Sequence, residues 1–435
     1  MNSSRNIWQG NILMNKAFCV IPWVQMAAKP IGTARVCCLM TNSKDSQQGT
    51  IRDADGKPYN LGRDDFDVIK NGDKAREIRL SMLNGERHSD CNTCWVKEDM
   101  GASSRRTVSN KMYVGEFDED TARAHTDEHG NTDWQPSYWD LRFGNLCNLK
   151  CVMCHPASSS QWYEDYVLIN GTTKFTDSGT KINLKDVNGR YKDAGEYDWW
   201  DNPEFWSKLE AKIPYLKQVY LVGGEPMLIE PHYDFLQKVI DSGRAGEVTL
   251  EYDTNLTAIH KRALDLWKHF KKVWLRISID DFGDQFEYIR YPARWQQISK
   301  NVETLSKEMS NIKMDFTVTW QVLSAYTTPN LLDYFEQFEK HNSSVRILSS
   351  PDYFDVAILP KEVKQDILNV YNGWATTDKK KKQIAHLVNY LETNIDGDDA
   401  KVTKCIDILN KLDSIRKTDW KTTFPQLYEK LKNER

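Results

Sequence analysis

Between residues 138 and 348, apolar runs of strand length alternate with stretches whose apolar positions recur every three or four residues. Strand-like runs fall at 138–143, 218–222, 247–253, 272–279, 313–322 and 345–348. Helical periodicity falls at 203–213, 258–270, 295–309 and 330–340. Repeated strand–helix units predict a parallel sheet with right-handed crossovers, and six strands stop short of the eight that close a barrel. The polar stretch 169–195 interrupts the pattern and reads as a surface excursion. Upstream, two apolar segments around Gly32 predict a hairpin, followed by a Gly/Asp-rich loop at 42–65 and a helix at 74–83. Residues 98–133 are charged and read as a linker, with His125 and His129 on its surface. From Pro360 onward the chain reads as helices at 361–374, 380–393, 400–418 and 424–432, with Ile384, Leu387, Val388 and Leu391 forming a packing face.

A chain of 435 residues exceeds one ordinary core, so two or three domains are expected. Hydrophobic residues make up 40% and charged residues 28%, the balance of a soluble globular protein. A net charge of −4 gives no global reason for nucleic-acid binding, and the run Lys379–Lys382 fits a solvated helix start. No apolar run reaches the ~18 residues that cross a bilayer, and no apolar signal region follows the first residues. A reducing cytoplasm is therefore expected, where nine cysteines serve as ligands or free thiols rather than disulfides. Cys405, alone among apolar neighbours, reads as a core residue.

Three of those thiols stand at Cys147, Cys151 and Cys154, in C-x-x-x-C-x-x-C spacing on the loop leaving the strand at 138–143. Soft thiolates converging on one centre select an iron–sulfur cluster or zinc. Structural zinc wants four ligands, whereas a cubane held by three keeps one iron open for a small molecule. Five further thiols precede this loop. Cys19 and the pair Cys37–Cys38 flank the hairpin, and Cys91 and Cys94 form a C-x-x-C. Four ligands from two segments make a closed metal site, for zinc or for iron–sulfur. The strand at 218–222 ends in Gly223-Gly224-Glu225-Pro226, where two glycines allow close backbone approach to a ligand and a carboxylate offers an acceptor to an ammonium group. Arg290 suits bidentate pairing with a carboxylate. Gln321, at the end of the fifth strand, is a candidate to face a bound cofactor or substrate.

The three-thiol loop resembles that of the radical S-adenosylmethionine enzymes, where it holds a 4Fe–4S cluster whose open iron takes the amino and carboxylate groups of S-adenosylmethionine. The resemblance implies reductive cleavage to a 5′-deoxyadenosyl radical that abstracts a substrate hydrogen. Where the family often has an aromatic residue before the third cysteine, this chain has Met153. Gly223, Gly224, Glu225 and Pro226 match the family's G-G-E-P, which meets the cofactor's amino group. Asn255 resembles its strand-three T-N, and Ser278 with Asp280 its S-x-D near the ribose. Arg290 is then a partner for the cofactor carboxylate. The upstream cysteines resemble the twitch and SPASM auxiliary-cluster modules, although those usually follow the radical domain. This assigns a second 4Fe–4S cluster to Cys19, Cys37, Cys91 and Cys94, with Cys37 preferred over Cys38.

The expected architecture is α/β: an N-terminal auxiliary module with linker (1–133), a partial (β/α)6 TIM-like barrel (134–358) and a C-terminal helical extension (359–435). The expected partners are a flavodoxin- or ferredoxin-like electron donor and a peptide or protein substrate, with a small metabolite or carbohydrate as the alternative substrate. A zinc-stabilised binding protein or a redox relay, on a barrel without radical chemistry, is the competing reading.

Overall fold

The computed structural model describes residues 16–40, 49–177, 180–193, 197–338 and 341–432. The N-terminal residues 1–6 and most of the first part of the 42–65 loop lie outside the described residues. The chain divides into two compact units, one of residues 1–29 and 33–140, the other of residues 30–32 and 141–435.

In the first unit, α1 (Ile21–Val24) runs straight into β1 (Gln25–Ala28), which pairs antiparallel with β2 (Ala34–Arg35). Met26 and Ala27 also pair in parallel with Trp139 and Asp140, in the first half of β3 (Tyr138–Phe143). Helices α2 (Phe66–Lys70), α3 (Asp73–Leu83), α4 (Asn92–Asp99), α5 (Arg105–Met112) and α6 (Glu119–Ala124) complete it. The last two fall in the stretch expected to be a linker. Its charges hid capping signals: Ser104 and Thr107 close a capping box on α5, and the Asp118 side chain caps α6. Phe117 between them packs on Trp23 and Trp134.

The second unit begins with the end of β3 and continues through α7 (Trp162–Asn170), β4 (Lys174–Asp177), β5 (Thr180–Val187) and β6 (Arg190–Asp193). Then come α8 (Pro203–Glu210), β7 (Gln218–Gly223), α9 (Glu230–Asp241), β8 (Thr249–Thr254), α10 (Lys261–Trp267) and β9 (Lys272–Ser278). Next are α11 (Gly283–Ile289), α12 (Trp295–Glu308), β10 (Ile312–Trp320), α13 (Thr328–Phe335) and β11 (His341–Ile347). Helices α14 (Lys361–Trp374), α15 (Asp378–Thr393), α16 (Asp399–Arg416), α17 (Trp420–Thr423) and α18 (Pro425–Leu431) finish the chain.

Its sheet runs β3-β7-β8-β9-β10-β11, and the last five strands pair in parallel. This is a mixed α/β fold on a parallel sheet. One sheet face is sealed by Leu250, Tyr252, Val273, Leu275, Ile277 and Phe316. The other carries charge. Arg276 pairs with Glu251 and Asp253, stacks over Tyr220 and Trp274, and Tyr220 donates to Asp253. Strand β11 starts at His341, four residues before the expected run, because its polar alternation lacks an apolar signal.

The stretch 169–195 is a three-stranded antiparallel sheet, β4-β5-β6, rather than a simple surface excursion. Phe175, Ile182 and Leu184 form its buried core with Tyr163 and Tyr197. Among the described residues, no helix is long and apolar enough to cross a membrane.

Candidate active site

The residues singled out between 147 and 280 fall at the ends of the strands or in the loops that follow them, and Arg290 caps the C-terminal end of α11. Cys147 and Cys151 are buried and Cys154 half-buried. The loop carrying them is tied down by its own backbone. Lys150 N donates to Tyr291 O at 2.8 Å and Val152 N to Ile289 O at 2.8 Å. The Cys151 carbonyl accepts from Trp162 Nε1 at 2.8 Å. Asn145 at the loop's start donates to Pro156 O and the Tyr163 hydroxyl, fixing its far side.

Gly223 and Gly224 come close to the chain's own backbone, not only to an expected ligand. A Cβ on Gly224 would stand 2.2 Å from Leu146 O, and one on Gly223, whose φ is +151°, 2.8 Å from Phe143 O. Glu225 N donates to the same Leu146 carbonyl at 2.7 Å. The β7 end is thereby seated against the entrance of the cysteine loop. The Glu225 carboxylate, 1% exposed, already accepts from Asn255 N at 2.7 Å, Thr254 Oγ1 at 2.8 Å and Met227 N at 3.1 Å. Burial raises its pKa to about 7 against those three donors. It joins the ends of β7 and β8 rather than standing as a spare acceptor.

Asn255 Nδ2 donates to Asn148 Oδ1 at 3.0 Å and lies 3.8 Å from Cys147 Sγ. Its Oδ1 accepts from Thr257 N and Oγ1 at 2.9 and 2.6 Å. Arg290 Nη1 lies 3.9 Å from Cys151 Sγ, and Nη2 pairs with Asp280 Oδ2 at 2.8 Å. Asp280, with no exposed surface, also accepts from Thr319 N at 2.7 Å. The structure thus pairs Arg290 and Asp280 with each other. Ser278, the last residue of β9, is half-buried. Gln321 is fully buried just beyond β10, and among the described residues its amide oxygen and nitrogen find no hydrogen-bond partner.

A three-thiolate cluster needs soft donors and positive charge nearby, and both are present. The Cys154 thiol donates to Cys151, which lowers the Cys151 pKa against burial and with help from Arg290. That bond and burial raise Cys154 well above the usual thiol range. Burial pushes Cys147 up to about 12. The residues present fit the group by donor chemistry and charge. Among the described residues, however, no three or more His, Cys, Asp or Glu side chains stand in a preformed metal-binding arrangement.

Sequence reasoning missed a second cation. Arg416, on the last turn of α16, donates from Nε to Asp165 Oδ2 at 2.9 Å, and Lys150 of the cysteine loop holds Oδ1 at 2.7 Å. The guanidinium lies over Trp162 and Tyr291, 5.0 and 5.4 Å from their ring centroids. A basic residue in a last helical turn is too common a signal to single it out.

In the first unit, Cys19, Cys37, Cys91 and Cys94 line one cavity of about 30 Å³ with Arg105 and Arg106. Cys38 does not line it. Burial raises the Cys19 thiol to about 12 and raises Cys91 as well. Arg106 is held by Glu98 and by Phe18 O at 2.8 Å.

Residues 141–323 match the family model of the radical SAM superfamily. No curated protein matches the chain. Among solved structures, native anSMEcpe with bound AdoMet aligns at 14% identity and a TM-score of 0.34, over 53% of this chain and 58% of that one. Streptococcus suis SuiB bound to S-adenosylmethionine aligns at 12% identity and a TM-score of 0.36, over 69% and 63%. The chain spans about three fifths of the length of these structures.

Proposed function

We propose that this chain is a radical S-adenosylmethionine enzyme whose working site is built on Cys147, Cys151 and Cys154. The observation that carries the reading is the direct seating of Gly223-Gly224-Glu225 on Leu146, at the mouth of the three-thiol loop, inside the segment that matches the family. A 4Fe–4S cluster bound there, once reduced by one electron, supplies reductive cleavage of S-adenosylmethionine to a 5′-deoxyadenosyl radical that takes a substrate hydrogen.

The chain's own residues bind, orient and insulate. The three thiolates hold the cluster. Arg290, kept charged by Asp280, offsets negative charge at Cys151. Gly223, Gly224, Glu225 and Pro226 present the β7 end to the cofactor's amino group. Asn255, Ser278 and Asp280 complete its polar surroundings. Cys19, Cys37, Cys91 and Cys94 hold an auxiliary 4Fe–4S cluster in a module of residues 1–133. The barrel of residues 134–358 takes a peptide or protein substrate, and residues 359–435 extend it.

Anaerobic reconstitution followed by iron and sulfide counting tests this, alongside a Cys147→Ala, Cys151→Ala, Cys154→Ala variant. Two clusters in the parent, one in the variant, and 5′-deoxyadenosine from the parent alone are expected after addition of dithionite and S-adenosylmethionine. Zinc in both sites, with no product, would hand the chain to the binding-protein reading.

A further inference from the structure

The small β4-β5-β6 sheet has two unlike faces. Inward, Phe175, Ile182 and Leu184 are buried. Outward, the register sets Lys174 opposite Asn183, Thr176 opposite Lys181, Lys185 opposite Lys192 and Val187 opposite Arg190. All eight are exposed. Five of them are cations, and among the described residues this face carries no carboxylate. None of the five makes an ion pair among the described residues, although the chain as a whole carries a net charge of −4. Lys185 directly opposite Lys192 is a pairing that repels across a strand pair. A sheet that keeps such a pair uncompensated is suited to an anionic partner.

The position of the sheet says which one. Its inner residue Phe175 stacks on His155, with ring centroids 4.9 Å apart, and His155 adjoins Cys154 in the chain. Phe175 and Thr176 share the wall of a cleft of about 380 Å³ with Cys154 and His155. The outward face reaches that cleft at Thr176, while its five cations lie on the side of the small sheet opposite Phe175. The proposed chemistry needs one electron from outside the chain, so an electron carrier has to approach this loop, and it is the anionic partner that the position favours.

We infer that the outer face of β4-β5-β6 is the docking surface for an acidic one-electron carrier protein. The inference rests on the radical reading of the Cys147–Cys154 loop. In the docked pair the carrier is oxidised by one electron and the cluster on Cys147, Cys151 and Cys154 is reduced by one. No atom is transferred. Complementary charge concentrates the carrier and orients it, which acts on the association rate and fades with salt.

The test compares the reconstituted full chain with a Lys181→Glu, Lys185→Glu, Lys192→Glu variant, and with the milder set of three Lys→Gln changes. The probe is a flavodoxin holoprotein. Binding is measured between about 20 and 200 mM salt, a range over which screening of exposed charges becomes strong. 5′-Deoxyadenosine formation is measured with the reduced flavodoxin and, separately, with dithionite. We expect flavodoxin binding to weaken about tenfold or more in the Glu variant, less in the Gln variant, and its salt dependence to flatten. Flavodoxin-driven product falls in step, while dithionite-driven product is unchanged. Equal binding by all three proteins overturns the proposal. So does capture of single-stranded RNA by this face in place of flavodoxin. If the parent yields no product even with dithionite, it is the radical reading that fails, and the binding arm reports that separately.

Discussion

Asp281 is buried next to the Arg290–Asp280 pair, and its carboxylate accepts from Phe282 N at 2.9 Å and from the Thr327 hydroxyl. Burial raises its pKa from 3.8 to about 7, against both donors. The folded state therefore holds a proton that the unfolded chain releases, so this contribution to stability is present at acid pH and is lost as pH rises from about 4 to 7. Asn fits the same two partners and cannot ionise. Asp281→Asn should match the parent near pH 4 and exceed it by roughly 4 kcal/mol at pH 8 in urea unfolding. Parallel curves through that window would remove the buried acid from the account. Such residues show how far the chemistry was legible. The cysteine spacing and the Gly-Gly-Glu-Pro run announce themselves as words in the chain. That Glu225 is already spoken for by Thr254, Asn255 and Met227, and Arg290 by Asp280, depends on contacts across separate strands that no linear spacing encodes.

Elements with an apolar rhythm were readable: β9 at Lys272–Ser278 and α12 at Trp295–Glu308 lie within a residue or so of their expected bounds. Those whose rhythm is carried by polar residues were not, and β4-β5-β6 is the clearest case, with Phe175, Ile182 and Leu184 as its buried apolar residues. Also invisible was the tie between α7 and α16, made by Asp165 and Arg416, both almost wholly buried. Removing one partner of a buried pair strands the other's charge. Arg416→Met should cost about 3 kcal/mol, softened by the Lys150 that stays on Asp165. Combining it with Asp165→Asn should cost less than the two single changes summed. Simple additivity in a double-mutant cycle would mean that the pair does not couple the two helices.

At the scale of the whole molecule, two compact units each carry a set of thiols, and the two sets should load independently. Cys91→Ser with Cys94→Ser is expected to halve the iron per chain on reconstitution while 5′-deoxyadenosine formation with dithionite persists. Iron unchanged from the parent would show that the cavity beside Arg106 holds no cluster. Alternation of strand and helix was enough to anticipate the second unit's α/β character. The division of the chain was harder to see, because it passes through the middle of a strand, between Asp140 and Leu141, where hydropathy has no break.

The hydrogen bonds from Lys150 and Val152 to Tyr291 and Ile289, and the cation from Arg416, also set a timetable during synthesis. The three thiols leave the ribosome long before the segments that seat them. At ordinary elongation rates the last of these, Arg416, follows Cys151 by roughly ten seconds to a minute. Throughout that interval the nascent loop is an unshielded trio of sulfurs, open to oxidants and to whichever soft metal arrives first. Under the proposed reading, the yield of cluster-loaded protein should therefore fall with slower translation and with more oxygen or zinc around the growing chain.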